Sequence, residues 1–275
     1  MPVINKYITS EQFYPTPTCC IRSLLTKEII GSDRVSLDHI TLSPNSNIKL
    51  SLEPGMIGWI QFLDGIGKLD GISYSLTSDF ITYLPQNFLG YLAALDKEIK
   101  ILFAKIPDAK RFDKDINLMP SMLNSVDWTR EPILESEHDA RKRIYMATKE
   151  LAGTHAFKGE MITYPPDTSA PEHHHIGAEH FQYIISGEVT ALLNGEPHSL
   201  KPGDVLYNYE NEPHTFINES NNDFSFVEFF IPGPCKTIWS PGANVCAWLP
   251  TGVDSVGRKP VRDIGYHIHG EDEGL

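Results

Sequence analysis

Short segments in which apolar and polar residues alternate recur along most of the chain. Residues 48–52 read Ile-Lys-Leu-Ser-Leu, and residues 224–230 place three phenylalanines and Glu228 on one face of an extended strand. Turn signals separate such segments, including Asp-Gly at 64–65 and Asn-Gly at 194–195. Strands spaced roughly eight to twelve residues apart, without long helices between them, predict an all-β antiparallel sandwich or barrel.

The middle of the chain has a different pattern. Over residues 135–152, charged residues combine with Ala, Met and Leu at helical spacing, and Gly153 provides a stop. We therefore predict a first domain over 1–134, a linker helix over 135–152 and a second domain over 153–275. A strand near 143–148 is the alternative for part of this linker.

Composition and charge narrow the expected partners. Of the 275 residues, 41% are hydrophobic, which is enough for the cores of two domains. The formal net charge is −13 and the basic residues are scattered, so neither nucleic acid nor an anionic membrane surface is an expected partner. The first ten residues lack a signal-peptide pattern, no apolar run has the length of a membrane span, and the four cysteines include no Cys-x-x-Cys. These features predict a cytoplasmic protein with reduced thiols.

Histidines are concentrated in one short segment. Four of the eleven lie within residues 173–180. His173 and His175 are two residues apart and share one face of a strand, whereas His174 points away. Because imidazole is a good ligand for divalent transition metals, this pair is the start of a candidate metal site.

Further donors follow this pair. Glu179 or His180 offers the third, and His214 offers the fourth. Adjacent residues of a strand face opposite sides, so only one of Glu179 and His180 can be a ligand, and a regular strand favours His180. Each histidine taken alone could be a surface residue or a satisfied core residue, but the set converges if the sheet closes on itself.

Three positions are candidates for catalysis. Gln182 lies two residues beyond His180 on the same strand face, where it either hydrogen-bonds a substrate oxygen or lines the barrel. Tyr207 and Tyr209 share a strand, and one of them is a candidate to reach the cavity, with core packing as the alternative. Glu228, flanked by phenylalanines, is either a base with a raised pKa or an outward-facing residue.

A second His-x-His pair stands near the end of the chain, at His267 and His269. Only the acidic residues at 271–273 follow it as further donors. An exposed terminal strand is the expected structure, and a second metal site is the alternative.

The two halves of the chain share a weak repeat. Residues 76–88 and 200–216 each have a leucine, a turn ending in aspartate, a strand with an aromatic residue and a proline before a phenylalanine. Where the second half has histidines, the first has Lys49, Ser51 and Gln86. The first copy is therefore predicted to be structural and unable to bind a metal in the same way.

A longer motif underlies the second half. In chain order it consists of His173-x-His175, Glu179-His180, Gly187, Pro202-Gly203-Asp204, Pro213-His214 and Asn218. Over about residues 160–232, this arrangement resembles the cupin superfamily. The first half resembles a degenerate cupin copy, so the whole chain resembles a bicupin. The resemblance implies two cupin-type β-barrels, each a jelly-roll-like double-stranded β-helix.

The motif departs from the family pattern in three places. Its opening glycine is absent, and the usual spacer residue between Pro213 and His214 is missing. Counting back from Gly187 leads to His180 and not to Glu179, which would give a site with four histidines.

The resemblance implies one divalent transition metal on His173, His175, His180 (or Glu179) and His214. Fe(II) is favoured, with Mn, Zn or Ni as alternatives. A small oxygenated molecule, anionic or enolisable, is the expected substrate, and an Fe(II)-dependent dioxygenase is the leading function. The alternatives are an isomerase or lyase that uses the metal as a Lewis acid, and a small-molecule-binding cupin without catalysis. Cupins commonly pair through sheet edges, so a homodimer is expected.

Overall fold

A computed structural model gives the structure of residues 1–116, 123–270 and 275. Within these residues the chain forms twenty-five strands and two short α-helices, so the predicted all-β class is confirmed. The first eleven strands are β1 (Val3–Asn5), β2 (Gln12–Thr16), β3 (Cys19–Leu25), β4 (Ser36–Leu42), β5 (Asn47–Ser51), β6 (Ile57–Asp64), β7 (Gly67–Leu69), β8 (Phe80–Leu84), β9 (Leu89–Ala94), β10 (Ile99–Ile106) and β11 (Asn124–Asp127).

The later strands are β12 (Leu134–Ser136), β13 (Lys142–Ala147), β14 (Lys158–Tyr164), β15 (Thr168–Ser169), β16 (His173–Ile176), β17 (Glu179–Ser186), β18 (Val189–Leu193), β19 (Glu196–Leu200), β20 (Val205–Asn208), β21 (His214–Asn218), β22 (Phe224–Ile231), β23 (Lys236–Trp239), β24 (Ala247–Pro250) and β25 (His267–Ile268). The helices are α1 (Lys27–Ile30) and α2 (Lys149–Ala152), and single 3-10 turns occur at Tyr7–Thr9, Ala109–Arg111 and Trp128–Arg130. Neither α-helix of the described residues has the length or apolar composition needed to cross a bilayer.

The first compact unit comprises Ile8–Trp128. One of its sheets has the order β11-β8-β6-β10-β4-β3-β2, and the other has the order β5-β9-β7. The central strands β6 and β10 pair antiparallel, with Phe103 opposite Ile60. Apolar side chains from both sheets, including Ile40, Phe62 and Leu92, form a buried core. Alternation of side chains along each strand places these residues inside.

The described part of this first unit has no histidine cluster in its interior. Lys49 and Ser51 are exposed, and Gln86 is half-buried. Among the residues that the structure describes, every cluster of donors able to hold a metal lies in the other unit. This finding agrees with a degenerate first copy.

The second unit comprises Met1–Tyr7 and Thr129–Leu275. Its larger sheet has the order β1-β20-β17-β22-β14-β13-β12-β24-β25, and its smaller sheet has the order β19-β18-β21-β16-β23, with β15 beside β21. Inward side chains of both sheets form one apolar core that includes Ile184, Phe216 and Phe226. Apolar residues fill one part of the interior, and polar residues concentrate where β16, β17 and β21 meet.

The predicted linker helix over 135–152 is wrong. This segment contains β12, β13 and only the four-residue α2, which begins after the N-cap Thr148 and ends at Gly153 in the left-handed conformation. Strand β13 is buried at every residue after its first, because β12 and β14 flank it within the sheet. A strand covered on both faces loses the period of two, and its charged residues then mimic helical spacing. The boundary between the units consequently falls at Trp128 and not near 134.

His39 gives the first unit a specific response to acid. It lies on β4 with 3% of its surface exposed, and burial, followed by the nearby charges of Lys100 and Arg22, lowers its pKa from 6.5 to about 4. Between these two values the unfolded chain binds a proton that the folded chain does not. The contribution of this residue to the free energy of unfolding is therefore fully present above pH 6.5. It falls by up to about 3 kcal/mol as the pH falls toward 4.

We predict that His39→Gln reduces the difference in unfolding free energy between pH 7 and pH 4 by about 2–3 kcal/mol. Denaturant unfolding at both pH values, followed with the wild type and with the exposed-histidine control His198→Gln, measures the effect. Equal acid sensitivity of wild type and His39→Gln would contradict the assignment.

Candidate metal centre

Four histidines of the predicted site meet inside the second unit. His173 and His175 come from β16, His180 from β17 and His214 from β21, and between 0% and 8% of each residue is exposed. The ring of His214 lies 4.5 Å from that of His173, 4.8 Å from that of His180 and 5.4 Å from that of His175. The rings of His175 and His180 are also 4.8 Å apart. The structure thus brings together all four histidines selected from the sequence.

Hydrogen bonds orient two of these rings. Nδ1 of His173 lies 2.8 Å from the carbonyl oxygen of Pro171, and Nδ1 of His214 lies 3.0 Å from that of Glu212. A carbonyl oxygen only accepts, so Nδ1 carries the proton in each ring. Nε2 of each ring consequently holds the lone pair that a metal requires.

The other two rings have unpartnered nitrogens. His175 Nδ1 lies 3.1 Å from the hydroxyl oxygen of Thr237, whereas its Nε2 has no hydrogen-bond partner among the described residues. The same holds for both ring nitrogens of His180, which is completely buried. Buried polar atoms without partners are rare and indicate a missing ligand or ion.

The donor atoms lie almost within the coordination sphere of one ion. One nitrogen from each of His175, His180 and His214 lies within 4.8 Å of the other two. Ligands at about 2.1 Å from one ion are at most about 4.2 Å apart, so small side-chain shifts suffice to bind it. A second overlapping group consists of His173, His175 and His269.

Burial is the main cause of lowered pKa values throughout the cluster. The pKa of His214 falls to about 4, and the pKa values of His173, His175 and His180 lie well below 6.5. Desolvation disfavours the charged imidazolium, and the neighbouring histidines add to the effect. The rings are therefore neutral at pH 7, as metal ligands must be.

Glu179, the alternative third donor, faces away from the histidines. Its Oε2 accepts a hydrogen bond of 2.5 Å from the hydroxyl of Tyr207. Tyr207 lies opposite Phe181 in the strand register, and Asn208 lies opposite His180. Tyr207 therefore belongs to the outer face of the sheet, so its predicted place in the cavity is wrong and the packing alternative describes it. Asn208 occupies the inward position instead.

Gly187 of the motif ends the strand that carries His180. Its φ of +75° lies in the left-handed region, and a Cβ there would collide with the backbone of Asp223 and Phe224. A glycine is required for this turn.

Gln182 and Glu228 lie beside the histidines, on facing positions of β17 and β22. Gln182 Nε2 donates to Glu228 Oε1, and its Oε1 accepts from Asn208 at 3.0 Å. Glu228 Oε1 is 3.6 Å from His180 Nε2. Glu228 thus faces inward, and both residues are within reach of a ligand held at the cluster.

A second buried carboxylate accompanies Glu228. Glu160 lies directly opposite it on β14 and is completely buried. Its Oε1 lies 3.2 Å from the guanidinium of Arg143, which is 2% exposed. Burial raises the pKa of Glu228 well above its usual range, and the charge of Glu160 raises it further. These surroundings therefore favour the protonated form of Glu228.

Sequence reasoning missed Glu160 and Asn208. It considered Arg143 only as a residue that could approach the mouth of the barrel, within a predicted helix that had a strand over 143–148 as its alternative. Arg143 lies on β13 and borders the small cavity. Glu160 lies on the same face of β14 as the inward residues Ile162 and Tyr164. That period of two is the signal that could have identified it.

The C-terminal histidines are also inside. His267 and His269 are 8% and 5% exposed, so the expectation of an exposed terminal strand is wrong. Strand β25 pairs with β24 at the end of the larger sheet, and this pairing carries both residues inward. The acidic residues at 271–273, considered as further donors, lie outside the described residues.

The second unit has two cavities, and the smaller one adjoins the cluster. A small one of about 20 Å³ is bordered by His173, His214, His269, Arg143 and Glu228, among others. This volume is on the scale that holds one ordered water, so without rearrangement only a small molecule fits.

A larger cavity of about 430 Å³ is lined by residues that include Lys158 and His155. The ammonium of Lys158 lies 4.8 Å from the centre of the Phe230 ring, and this ring stacks against His180. Lys158 therefore lies between the larger cavity and the histidines.

The second unit consists of two facing β-sheets with histidines on their inward side. This arrangement is found in a known class of proteins. The family described as "Cupin domain" matches residues 160–230. An oxalate-binding protein of Thermotoga maritima is 30% identical over 87 residues, which cover 32% of this chain and 72% of that protein. The chain belongs to the cupin family, as its motif predicted.

Solved structures extend the likeness to both units. A tryptophan-to-tyrosine variant of oxalate decarboxylase from Bacillus subtilis matches with a TM-score of 0.70 and 13% identity, over 86% of this chain and 79% of that one. The same enzyme at pH 4.6 matches with a TM-score of 0.67 and 13% identity, over 86% and 78% of the two chains. The match spans both halves, so both units have a cupin-type fold.

Proposed function

We propose that the second cupin unit binds one divalent transition metal through His173, His175, His180 and His214. The neutral rings, the unpartnered nitrogens of His175 and His180 and the spacing of the donors support this proposal. When bound, the ion supplies Lewis acidity toward an oxygen of the substrate. Imidazole ligands suit Fe, Ni, Cu and Zn, and Mn binds such ligands more weakly, so the ligand set leaves the choice of metal to experiment.

The substrate is a small oxygen-rich anion of the oxalate type. Four neutral ligands leave the charge of the ion uncompensated, and Arg143 and Lys158 add positive charge nearby. The small cavity beside His173 and His214 has room for about one water, so even a compact ligand such as oxalate requires its lining side chains to move. The names of the oxalate-binding relative and of the oxalate decarboxylases agree with this substrate class.

The reaction best matched to the site is decarboxylation, a lyase reaction. In the decarboxylation of oxalate the carbon–carbon bond breaks, carbon dioxide leaves, and the remaining carbon gains a proton to give formate. Glu228 supplies that proton from Oε2, because its Oε1 accepts from Gln182, and the resulting carboxylate takes up a proton from water or from the next substrate. The observation that carries this function is a buried carboxyl group, with a pKa raised by its surroundings, that lies 3.6 Å from His180 of the histidine cluster.

The Fe(II)-dependent dioxygenase favoured by the sequence is the second candidate. The observation that favours this candidate is the set of four neutral histidines, with Glu179 turned away. Such a set also suits an iron centre with open positions. Binding of oxalate without turnover is the third, and the relative named for oxalate binding favours it.

One experiment separates the three. Metal-free protein is loaded with Mn(II), Fe(II) or Zn(II) in the absence of oxygen and is then mixed with ¹³C-oxalate. NMR measures formate and carbon dioxide, and an electrode measures oxygen uptake. We expect equal amounts of formate and carbon dioxide without stoichiometric oxygen uptake. Oxygen consumed in proportion to carbon–carbon cleavage would favour the dioxygenase, and binding without products would favour the binding protein. Absence of oxalate binding to the loaded protein would overturn the proposed substrate class.

The third ligand is tested by neighbouring variants. His180→Gln is expected to lower metal affinity at least about tenfold, because it removes one of four coordinating nitrogens. Glu179→Gln is the matched control and should bind metal as the wild type does, since its carboxylate faces Tyr207. Elemental analysis after dialysis against a weak chelator measures both. Metal loss in Glu179→Gln with retention in His180→Gln would reverse the assignment.

A further inference from the structure

His269 is a fifth histidine at the same cavity. Its ring lies 5.3 Å from that of His175 and 5.7 Å from that of His173. It borders the small cavity together with His214 and Glu228. His269 reaches this position because its backbone N–H donates to the carbonyl of Cys246 at 3.0 Å, which extends the pairing of β24 and β25.

The contact with Arg143 fixes the proton of His269. Its Nδ1 lies 2.7 Å from NH1 of Arg143. A guanidinium is always charged and only donates, so Nδ1 must be the acceptor. A neutral imidazole has one N–H, and in His269 that N–H is therefore at Nε2. Within the described residues this is the only side-chain hydrogen bond of His269, so Nε2–H is available to a ligand.

The surrounding network holds Arg143 in place. Its NH1 also donates to the hydroxyl of Tyr145 at 3.1 Å, and its other terminal nitrogen pairs with Glu160. Tyr145 in turn donates to Nε2 of His267 at 2.8 Å, since Nδ1 of His267 faces the carbonyl of Gly265 at 3.1 Å. NH1 of Arg143 and the hydroxyl of Tyr145 each donate to an acceptor of this network, and these contacts select one tautomer for His269.

This tautomer disfavours metal coordination by His269. Coordination through Nε2 would require loss of its proton, and coordination through Nδ1 would require loss of the hydrogen bond to Arg143. Neither requirement applies to His173 or His214, whose Nε2 atoms are unprotonated. His269 is thus distinguished chemically from the proposed ligands although it lies near them.

We propose that His269 is a substrate-binding residue that donates a hydrogen bond from Nε2 to an anionic ligand held at the metal. This inference rests on the proposed metal site of the second unit. It assigns to the C-terminal segment a direct part in recognising the anion.

The test uses the full-length protein loaded with Co(II), with azide as a general anion probe and oxalate as the proposed ligand. His269→Phe keeps an aromatic ring and removes the donor. We expect a full complement of cobalt and a loss of about tenfold to hundredfold in affinity for both anions, as for a lost hydrogen bond to a charged group. Visible spectra measure azide binding, calorimetry measures oxalate binding, and elemental analysis measures the cobalt content.

Two further variants complete the test. His269→Gln retains an N–H donor and should recover part of the affinity, and the exposed His198→Gln should match the wild type. Loss of cobalt from His269→Phe would show that His269 is a ligand, and wild-type anion affinity in it would show that it makes no contact. Either result overturns the inference.

The wild-type protein provides a readout that needs no variant. In the Zn(II)-loaded protein labelled with ¹⁵N-histidine, we expect His269 to show a protonated Nε2 and an uncoordinated Nδ1. A metal-bound nitrogen in this ring would overturn the inference. If the wild type binds no cobalt, the proposed metal site fails and this inference falls with it; if it binds cobalt and azide but not oxalate, only the substrate class fails.

Discussion

His175→Ala is expected to abolish metal retention and, with it, turnover. His175 belongs to both overlapping groups of donors, and its Nε2 is buried without a partner. Removal of a partner outside the coordination sphere already lowers metal affinity by about ten- to hundredfold, so removal of a ligand should lower it by at least about a hundredfold. Metal content after dialysis and the rate with oxalate measure the effect.

The adjacent residue provides the control. His174 lies on the same strand but faces away and is half-buried, so His174→Ala should keep both metal and activity. Full metal content in His175→Ala would contradict the proposed site, and equal loss in both variants would indicate damage to strand β16 and not to a ligand set.

Glu228→Gln is expected to lower turnover at least about a hundredfold while the metal remains bound. The substitution keeps the size of the side chain and removes the proton that a general acid delivers, an effect of about 10²–10⁴ in rate. The raised pKa of Glu228 sets the sign of the pH dependence. The protonated acid is present at low pH, so the wild-type rate should fall as the pH rises through the raised pKa, and the variant should lack this fall.

Steady-state rates between pH 4 and pH 9, with metal content measured in parallel, check this prediction. Glu188→Gln is a suitable control, because Glu188 is an exposed carboxylate on a surface turn. An unchanged rate in Glu228→Gln would show that its carboxyl group takes no part in the reaction and would favour a binding function.

The proposed metal ligands could be selected from the sequence because their placement depends on local geometry. Residues two apart on a strand lie on the same face, and this rule selected His173 and His175. Adjacent residues lie on opposite faces, so the same rule allowed only one of His180 and Glu179 to be a ligand. The rule also predicted that Gln182 shares the face of His180. Tyr207 was misplaced because its strand gives no sign of which face is inward until its register with β17 is known.

Other parts of the site depend on pairing between distant segments. Arg143 and His269 are far apart in sequence, and only the pairing of β12 with β13 and β24 brings them into one sheet. A terminal His-x-His pair looks exposed when the pairing of β25 with β24 is unknown. The buried strand β13 lost its alternation and resembled a helix for the same reason.

X-ray absorption at the zinc edge of the Zn(II)-loaded protein tests the central claim most directly. We predict one zinc per chain, with nitrogen neighbours at about 2.0–2.1 Å and the outer-shell pattern of three or four imidazoles. A spectrum with fewer than three imidazoles, or a protein that retains no zinc, would contradict it.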